Sequence, residues 1–215
     1  MTSYVRCMVV PVVSALVVGV GLLAPSHAVG EETGSIKGEI SVSGARGVRS
    51  PENVVVYVEE VPGEHKAPAD PVKVDQIKLV FIPHVLPIVK GTTVEFHNGD
   101  PLLHNVFWPK SKGYGAYNLG TWGKGGKRSY TFDQLGQVVL LCNVHPEMES
   151  HVVVLQNPFF AVVSEDGKYE ITGVPPGEYT LKTWYTNPRR LRSKSAAVTV
   201  KAGEAAEQDF SLSRK

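Results

Sequence analysis

The sequence predicts an all-β protein built from β-sandwiches. Short runs rich in Val, Ile, Tyr and Thr recur along the chain, and glycines and prolines separate them. Several runs alternate polar and apolar residues, the period-2 pattern of a strand with one buried face. No window sustains an amphipathic helical period, so we expect at most a single turn of helix. Many short strands joined by Gly/Pro turns are typical of sandwiches.

The candidate strands follow one another in short segments bounded by turn residues. In chain order they are SIKGEISV, NVVVYVEE, IKLVFI, TTVEFHN, RSYTFD, QVVLLC, HVVVLQ, KYEITGV, EYTLKTWY and SAAVTVKA. In QVVLLC, residues Val138, Leu140 and Cys142 share one face, which we assign to the core. Cys142 would then end its strand pointing inward. His151 begins the next strand, and we expect it to be exposed.

Two β blocks are separable along the chain. Residues 59–76 are rich in proline and poor in apolar side chains, which predicts a loop or linker. Residues 77–156 form a continuous β block. Residues 164–181 read as an acidic turn, a strand, a Pro-Pro-Gly turn and another strand. This later block has few strands of its own, so the strands at 35–58 are candidates to complete it. The middle block would then be inserted into a split sandwich.

The N-terminal segment, residues 1–28, has the layout of a secretory signal peptide. Arg6 precedes a long apolar run, and Ser-His-Ala provides a small-x-small cleavage site ending at Ala28. An uncleaved membrane anchor is the alternative, because the run approaches the length that spans a bilayer. We expect cleavage, a periplasmic or secreted protein, and no stable membrane insertion afterwards.

Charge and cysteine content narrow the possible functions. The chain carries 22 Lys and Arg against 21 Asp and Glu, without a basic run, so it offers no case for nucleic-acid binding. It has two cysteines, and Cys7 lies in the signal segment. An exported protein normally pairs its thiols, so the single remaining Cys142 suggests intermolecular pairing, a buried bystander, or a reactive or metal-bound thiolate.

The heptapeptide CNVHPEM, residues 142–148, is the candidate metal site. It holds the mature chain's one Cys and one Met, Cys142 and Met148, with His145 between them. A fourth ligand must come from elsewhere, and the loop after TTVEF supplies His104. One thiolate, two imidazoles and a thioether suit copper. Zinc remains a minor option through Glu147 and Glu149. The alternative is a buried Cys, a core Met and a surface His with no metal.

The same residues resemble a known family. CNVHPEM is similar to the ligand loop of cupredoxins, the blue copper proteins, with the Cys-x-x-His-x-x-Met spacing of amicyanins. The segment IKLVFIPHVLPIVKGTTVEFHNGDPLLHNVFW resembles the preceding cupredoxin strands. The likeness covers residues 72–156 and implies a cupredoxin Greek-key β-sandwich. It implies that His104, Cys142, His145 and Met148 hold one type 1 copper ion, and that Asn105 pins the ligand loop.

The flanking segments resemble a second family. Residues 34–62 and 157–215 look like the two parts of a carboxypeptidase regulatory-like, transthyretin-type sandwich, which would be the smaller domain. The whole chain is thus similar to exported plastocyanin-like proteins, some of them labelled methylamine-utilisation proteins. Nothing in the residues themselves indicates methylamine.

The resulting functional hypothesis is electron transfer rather than catalysis. No catalytic nucleophile or carboxylate pair is evident, and no His-x-His pair suggests further copper centres. We expect His145 to lie nearer the surface and to serve as the electron's exit towards an unidentified redox partner protein. Two alternatives stay open: copper storage or delivery, and an adhesion or scaffold module whose metal is structural.

Overall fold

A computed structural model describes residues 32–43, 51–187 and 191–213 of the chain. Within these ranges the protein is all-β, as predicted, and the regular elements are strands. No helix of the described part is long and apolar enough to cross a membrane. The predicted signal peptide, residues 1–28, lies outside the described residues.

One β-sandwich surrounds the candidate metal site. Its five-stranded sheet has the order β5-β11-β10-β7-β8, and its four-stranded sheet has the order β4-β3-β6-β9. Their buried faces share one apolar core, which includes Phe96, Trp108 and Leu140. The strands are β3 (Val72–Ile77), β4 (Val80–Ile82), β5 (Val85–Val89), β6 (Thr92–Asn98), β7 (His104–Trp108), β8 (Tyr117–Trp122), β9 (Lys127–Phe132), β10 (Gly136–Leu141) and β11 (Glu149–Leu155).

A second pair of sheets is built from the two ends of the chain. One sheet has the order β13-β1-β16, with β17 also paired to β1, and the other has the order β12-β2-β14-β15. A separate core, including Ile36, Ile171 and Leu181, fills the space between them. The strands are β1 (Gly34–Ser43), β2 (Val55–Val58), β12 (Phe160–Val162), β13 (Lys168–Val174), β14 (Gly177–Trp184), β15 (Ser195–Val200), β16 (Ala205–Glu207) and β17 (Phe210–Ser213).

A small apolar cluster joins the two cores. It brings Val55 of β2 together with Val85 of β5 and with Val153 and Leu155 of β11, and Trp184 packs against its edge. Strand β2 therefore buries Val55 in this junction cluster and Val56 in the core of the second pair of sheets. Successive side chains of a strand point to opposite faces, so one strand serves both contacts.

Three local expectations are corrected. The run IKLVFI is a tight hairpin rather than one strand, because Lys78 and Leu79 adopt φ of 55° and 62° between β3 and β4. The predicted linker 59–76 ends early, since β3 already begins at Val72. His151 is buried rather than exposed, with 4% of its surface accessible, because Trp184 packs against its ring.

Candidate metal centre

His104 begins β7 and is completely buried. It pairs across the sheet with Trp122 of β8, and it is 0% exposed. A fully buried imidazole needs partners for both ring nitrogens. One nitrogen, Nε2, lies 2.9 Å from a carboxylate oxygen of Asp100, and the other, Nδ1, lies 3.1 Å from Nδ1 of His145.

Cys142 directly follows β10 and points into the core, as predicted. Val138 and Leu140 on the same face are 0% exposed, and Cys142 itself is 3% exposed. The main-chain N–H of Asn105 lies 3.5 Å from Sγ and donates to it. Among the described residues Cys142 is a free thiol. Burial and this donor place the sulfur where a thiolate could be ligated and protected from solvent.

His145 and Met148 lie on the short loop between β10 and β11. The N–H of Met148 donates to the carbonyl of His145 at 3.0 Å, which closes a tight turn. Met148 is 1% exposed and belongs to the same core cluster as Cys142. His145 is half-buried and is therefore the most accessible of the four predicted ligands.

Three of the predicted ligands converge. One donor atom each from His104, Cys142 and His145 lies within 4.8 Å of the others, and Sγ is 3.9 Å from Nδ1 of His145. In the described part of the chain this is the one group of three or more His, Cys, Asp or Glu side chains that meets such a criterion. The group unites His104 with a loop about forty positions later in the sequence.

Asp100 fixes the hydrogen bonding of His104 from the opposite side. Its carboxylate accepts from the N–H groups of Lys78 and Leu79 at 2.7 and 3.0 Å, as well as from His104. The N–H of Leu79, then the N–H of Lys78 and the His104 ring, hold the pKa of Asp100 below its usual range although burial opposes them. An ionised carboxylate only accepts, so its hydrogen bond with His104 requires the proton on Nε2 and leaves the lone pair on Nδ1.

Asn105 makes the contacts that its expected role requires. Its side-chain oxygen accepts from the N–H of Asn143 at 3.3 Å, next to Cys142. Its amide nitrogen donates to Oδ1 of Asn118 and to the carbonyl of Gly120 at 2.8 and 2.7 Å. Asn105 thus ties the start of the ligand loop to β8 and, through its own N–H, holds the sulfur.

The donor set fits a soft metal ion. With Nδ1 of His104 deprotonated, the Nδ1 atoms of the two histidines repel each other at 3.1 Å unless a proton or a cation lies between them. A thiolate beside two imidazoles suits Cu better than Mg or Ca, which prefer oxygen ligands. The two carboxylates that would favour zinc are not part of the group: Glu147 is exposed, and Glu149 binds Nε2 of His151 at 2.9 Å.

Asp100 is the site residue that sequence reasoning missed. It precedes His104 by four positions in a loop, where a lone carboxylate is usually solvated. The four-residue spacing between Asp100 and His104 could have indicated the contact. The other two partners of Asp100, the N–H groups of Lys78 and Leu79, lie in the β3–β4 hairpin, which the sequence did not predict.

Comparison with known proteins gives one curated relative of note. No protein-family model matches the chain. Amicyanin from Paracoccus versutus is 30% identical over 112 residues, which cover 52% of this chain and 85% of that protein.

Solved structures of copper proteins also match in part. The amicyanin structure from Paracoccus versutus is 28% identical, with a TM-score of 0.37, over 46% of this chain and 96% of its own. The copper-containing nitrite reductase of Thermus scotoductus SA-01 is 28% identical, with a TM-score of 0.39, over 45% of this chain but only 25% of its own. The purple cupredoxin of Nitrosopumilus maritimus is 22% identical, with a TM-score of 0.35, over 39% of this chain and 98% of its own.

Proposed function

The chain belongs to the amicyanin family of cupredoxins, and we propose that it is an exported type 1 copper protein that carries single electrons between redox partners. His104, Cys142, His145 and Met148 hold the metal. The observation that carries this proposal is the convergence of His104 with Cys142 and His145 within 4.8 Å, from two distant segments. A bound copper ion would supply reversible one-electron chemistry at this site.

Rigidity of the protein around the ligands suits that role. His104 is held by Asp100, and Cys142 by the N–H of Asn105, while Met148 is packed in the core. Ligands that are fixed before the metal changes oxidation state need little rearrangement when it does. Reorganisation therefore opposes electron transfer only weakly.

His145 is the proposed exit for the electron. It is half-buried while His104 is fully buried, so its ring is the ligand edge nearest to solvent. Large apolar side chains flank the ligands in sequence and are exposed: Leu102 and Leu103 before His104, and Val144 before His145. Exposed apolar side chains that form a contiguous patch are typical of protein-interaction surfaces. The redox partner would dock here.

The domain division follows from the same proposal. Residues 72–156 form the copper domain, and residues 34–62 with 157–215 form a flanking sandwich of the carboxypeptidase regulatory-like type. We assign no catalytic step to either part.

The proposed export is based on residues 1–28 alone. Sequencing the N-terminus of the mature protein from a Gram-negative host tests it, and cleavage after Ala28 is expected.

An absorption spectrum of the copper-loaded mature protein tests the function. A Cu(II)–thiolate site gives intense absorption at about 600 nm, and Cys142→Ser should abolish it while the strand structure persists. Voltammetry should show a reversible one-electron wave. Val144→Ala, beside the ligands but without a donor atom, is the control and should keep the colour. A colourless wild-type protein that gives up Cu(I) to a chelator would instead favour copper delivery.

A further inference from the structure

Asp100 links two parts of the protein that are distant in sequence. Its carboxylate accepts three hydrogen bonds, from the main-chain N–H groups of Lys78 and Leu79 and from Nε2 of His104. Its own N–H donates to Oδ1 of Asn98 at 2.9 Å. The side chain is 10% exposed. Asp100 is therefore held by hydrogen bonds of both its main chain and its side chain.

We propose that Asp100 is the positioning residue of the metal centre: it fixes the tautomer and the ring orientation of His104 and ties both to the tip of the β3–β4 hairpin. This proposal rests on the proposed copper site. It assigns Asp100 no contact with the metal, because its carboxylate lies on the Nε2 side of the ring, away from Cys142 and His145.

The chemistry of the carboxylate explains why an acid is needed at this position. An ionised carboxylate is an acceptor only, so the ring nitrogen facing it must be the protonated one. The free lone pair of His104 is then on Nδ1, which faces His145 at 3.1 Å. An amide in place of the carboxylate could also donate, and it would accept either tautomer. An outer partner that holds a ligating histidine in this way typically changes metal affinity by about 10–100-fold when it is replaced.

The hairpin determines where the carboxylate lies. Lys78 and Leu79 both have left-handed backbone conformations, with φ of 55° and 62°. Residues other than glycine adopt the left-handed conformation at an energetic cost. This conformation therefore persists only where other contacts compensate for that cost. The two hydrogen bonds that Lys78 and Leu79 donate to Asp100 are contacts of that kind. Oδ1 of Asp100 accepts from Lys78, and Oδ2 accepts from both Leu79 and His104, so the hairpin and the imidazole depend on the same carboxylate.

The test is Asp100→Asn in the mature protein, with two measurements. Nitrogen-15 NMR of the metal-free protein reports which nitrogen of His104 is protonated. We expect the Nε2–H tautomer in the wild type and a mixture in the variant. Competition with a Cu(I) chelator should show a dissociation constant about 10–100-fold weaker for Asp100→Asn.

Val74→Ala distinguishes this role from a general loss of stability. It trims a buried side chain of the same core, in β3 but outside the hairpin tip that binds Asp100. It should lower stability and leave both the tautomer of His104 and the Cu(I) affinity unchanged. Equal losses of affinity in Val74→Ala and Asp100→Asn would overturn the proposal.

Other outcomes are equally decisive. An Nδ1–H tautomer of His104 in the metal-free wild type would overturn the proposal even if Asp100→Asn failed to fold. Unchanged affinity, within twofold, for a folded Asp100→Asn would do the same. If the wild type bound no copper, the proposed function would fail on its own, while the NMR measurement would still decide the role of Asp100.

Discussion

Asn105 and Cys142 meet at the sulfur: the main-chain N–H of Asn105 lies 3.5 Å from Sγ, and its side chain accepts from Asn143, the next residue after the cysteine. The two contacts hold the start of the ligand loop against β7, one at Cys142 and one at the residue after it. A donor aimed at the sulfur also stabilises negative charge there, as a thiolate requires.

Asn105→Ala should therefore loosen the ligand loop. It removes the acceptor for Asn143 and the donors to Asn118 and Gly120, which should lower the free energy of unfolding by about 1–3 kcal/mol. In the metal-free protein, a thiol reagent should reach Cys142 at least about tenfold faster, since 1.4 kcal/mol corresponds to a factor of ten. Asn118→Ala is the control: it leaves the bond to Asn143 in place. Equal thiol reactivity in both variants would contradict this role.

Much of the core could be predicted from strand alternation, and the exceptions have physical causes. The inward direction of Cys142 follows from Val138 and Leu140 two and four residues earlier, a purely local pattern. The predicted exposure of His151 is wrong because both faces of β11 are covered. The core of its own sandwich covers one face, and Trp184 and its neighbours cover the other. Local alternation carries no information about a second layer.

The β3–β4 hairpin escaped prediction for a related reason. Its two turn residues, Lys78 and Leu79, are not the Asn or Gly that usually signal such a turn. Their left-handed conformations are supported by Asp100, more than twenty residues later. The clustering of His104 with the ligand loop, by contrast, needs only the sandwich and was open to prediction.

Lys78→Gly should stabilise the protein. Lys78 is exposed and has φ of 55°, a conformation that glycine adopts without steric cost. We expect a gain of up to about 1 kcal/mol in the free energy of unfolding, partly offset by the greater freedom of glycine in the unfolded chain. Lys90 is also an exposed turn residue, but it is not among the residues with positive φ. Lys90→Gly should therefore be neutral or destabilising. Chemical denaturation measures both, and equal effects would argue against strain at Lys78.

Trp184 connects the sheets built from the two ends of the chain to the sandwich that holds the candidate metal centre. Its Nε1 donates to Oε1 of Gln137 at 2.6 Å, and its ring centroid lies 5.6 Å from that of His151. Trp184→Ala should lower the free energy of unfolding by about 1–3 kcal/mol and split the calorimetric transition in two as the sandwiches unfold separately. Trp184→Phe keeps the ring contact, loses the hydrogen bond and should retain a single transition. An unchanged single transition in Trp184→Ala would show that this contact does not couple the sandwiches.

His151 should make stability depend on pH. Burial lowers its pKa below 6.5, although the Glu149 carboxylate opposes the shift. The unfolded chain therefore binds a proton at a higher pH than the folded protein does, so stability is lost as pH falls from about 6.5 towards the folded pKa. His151→Gln, which keeps a donor for Glu149, should flatten this decline in the metal-free protein. Chemical denaturation between pH 7 and 5 on the wild type and the variant measures it, and parallel slopes would contradict the assignment.

Met148→Leu separates packing from ligation. Met148 is 1% exposed in the core cluster that includes Cys142. Leucine has a similar volume, so the free energy of unfolding of the metal-free protein should fall by less than about 1.5 kcal/mol. The change also removes the thioether, and because a thioether donor from Met148 would help to stabilise oxidised copper, the reduction potential of the copper-loaded protein should rise. Leu140→Met, elsewhere in the same core, is the matched control and should leave the potential unchanged. If Met148→Leu altered stability but not the potential, the sulfur would be a core atom, and the metal would be held by His104, Cys142 and His145 alone.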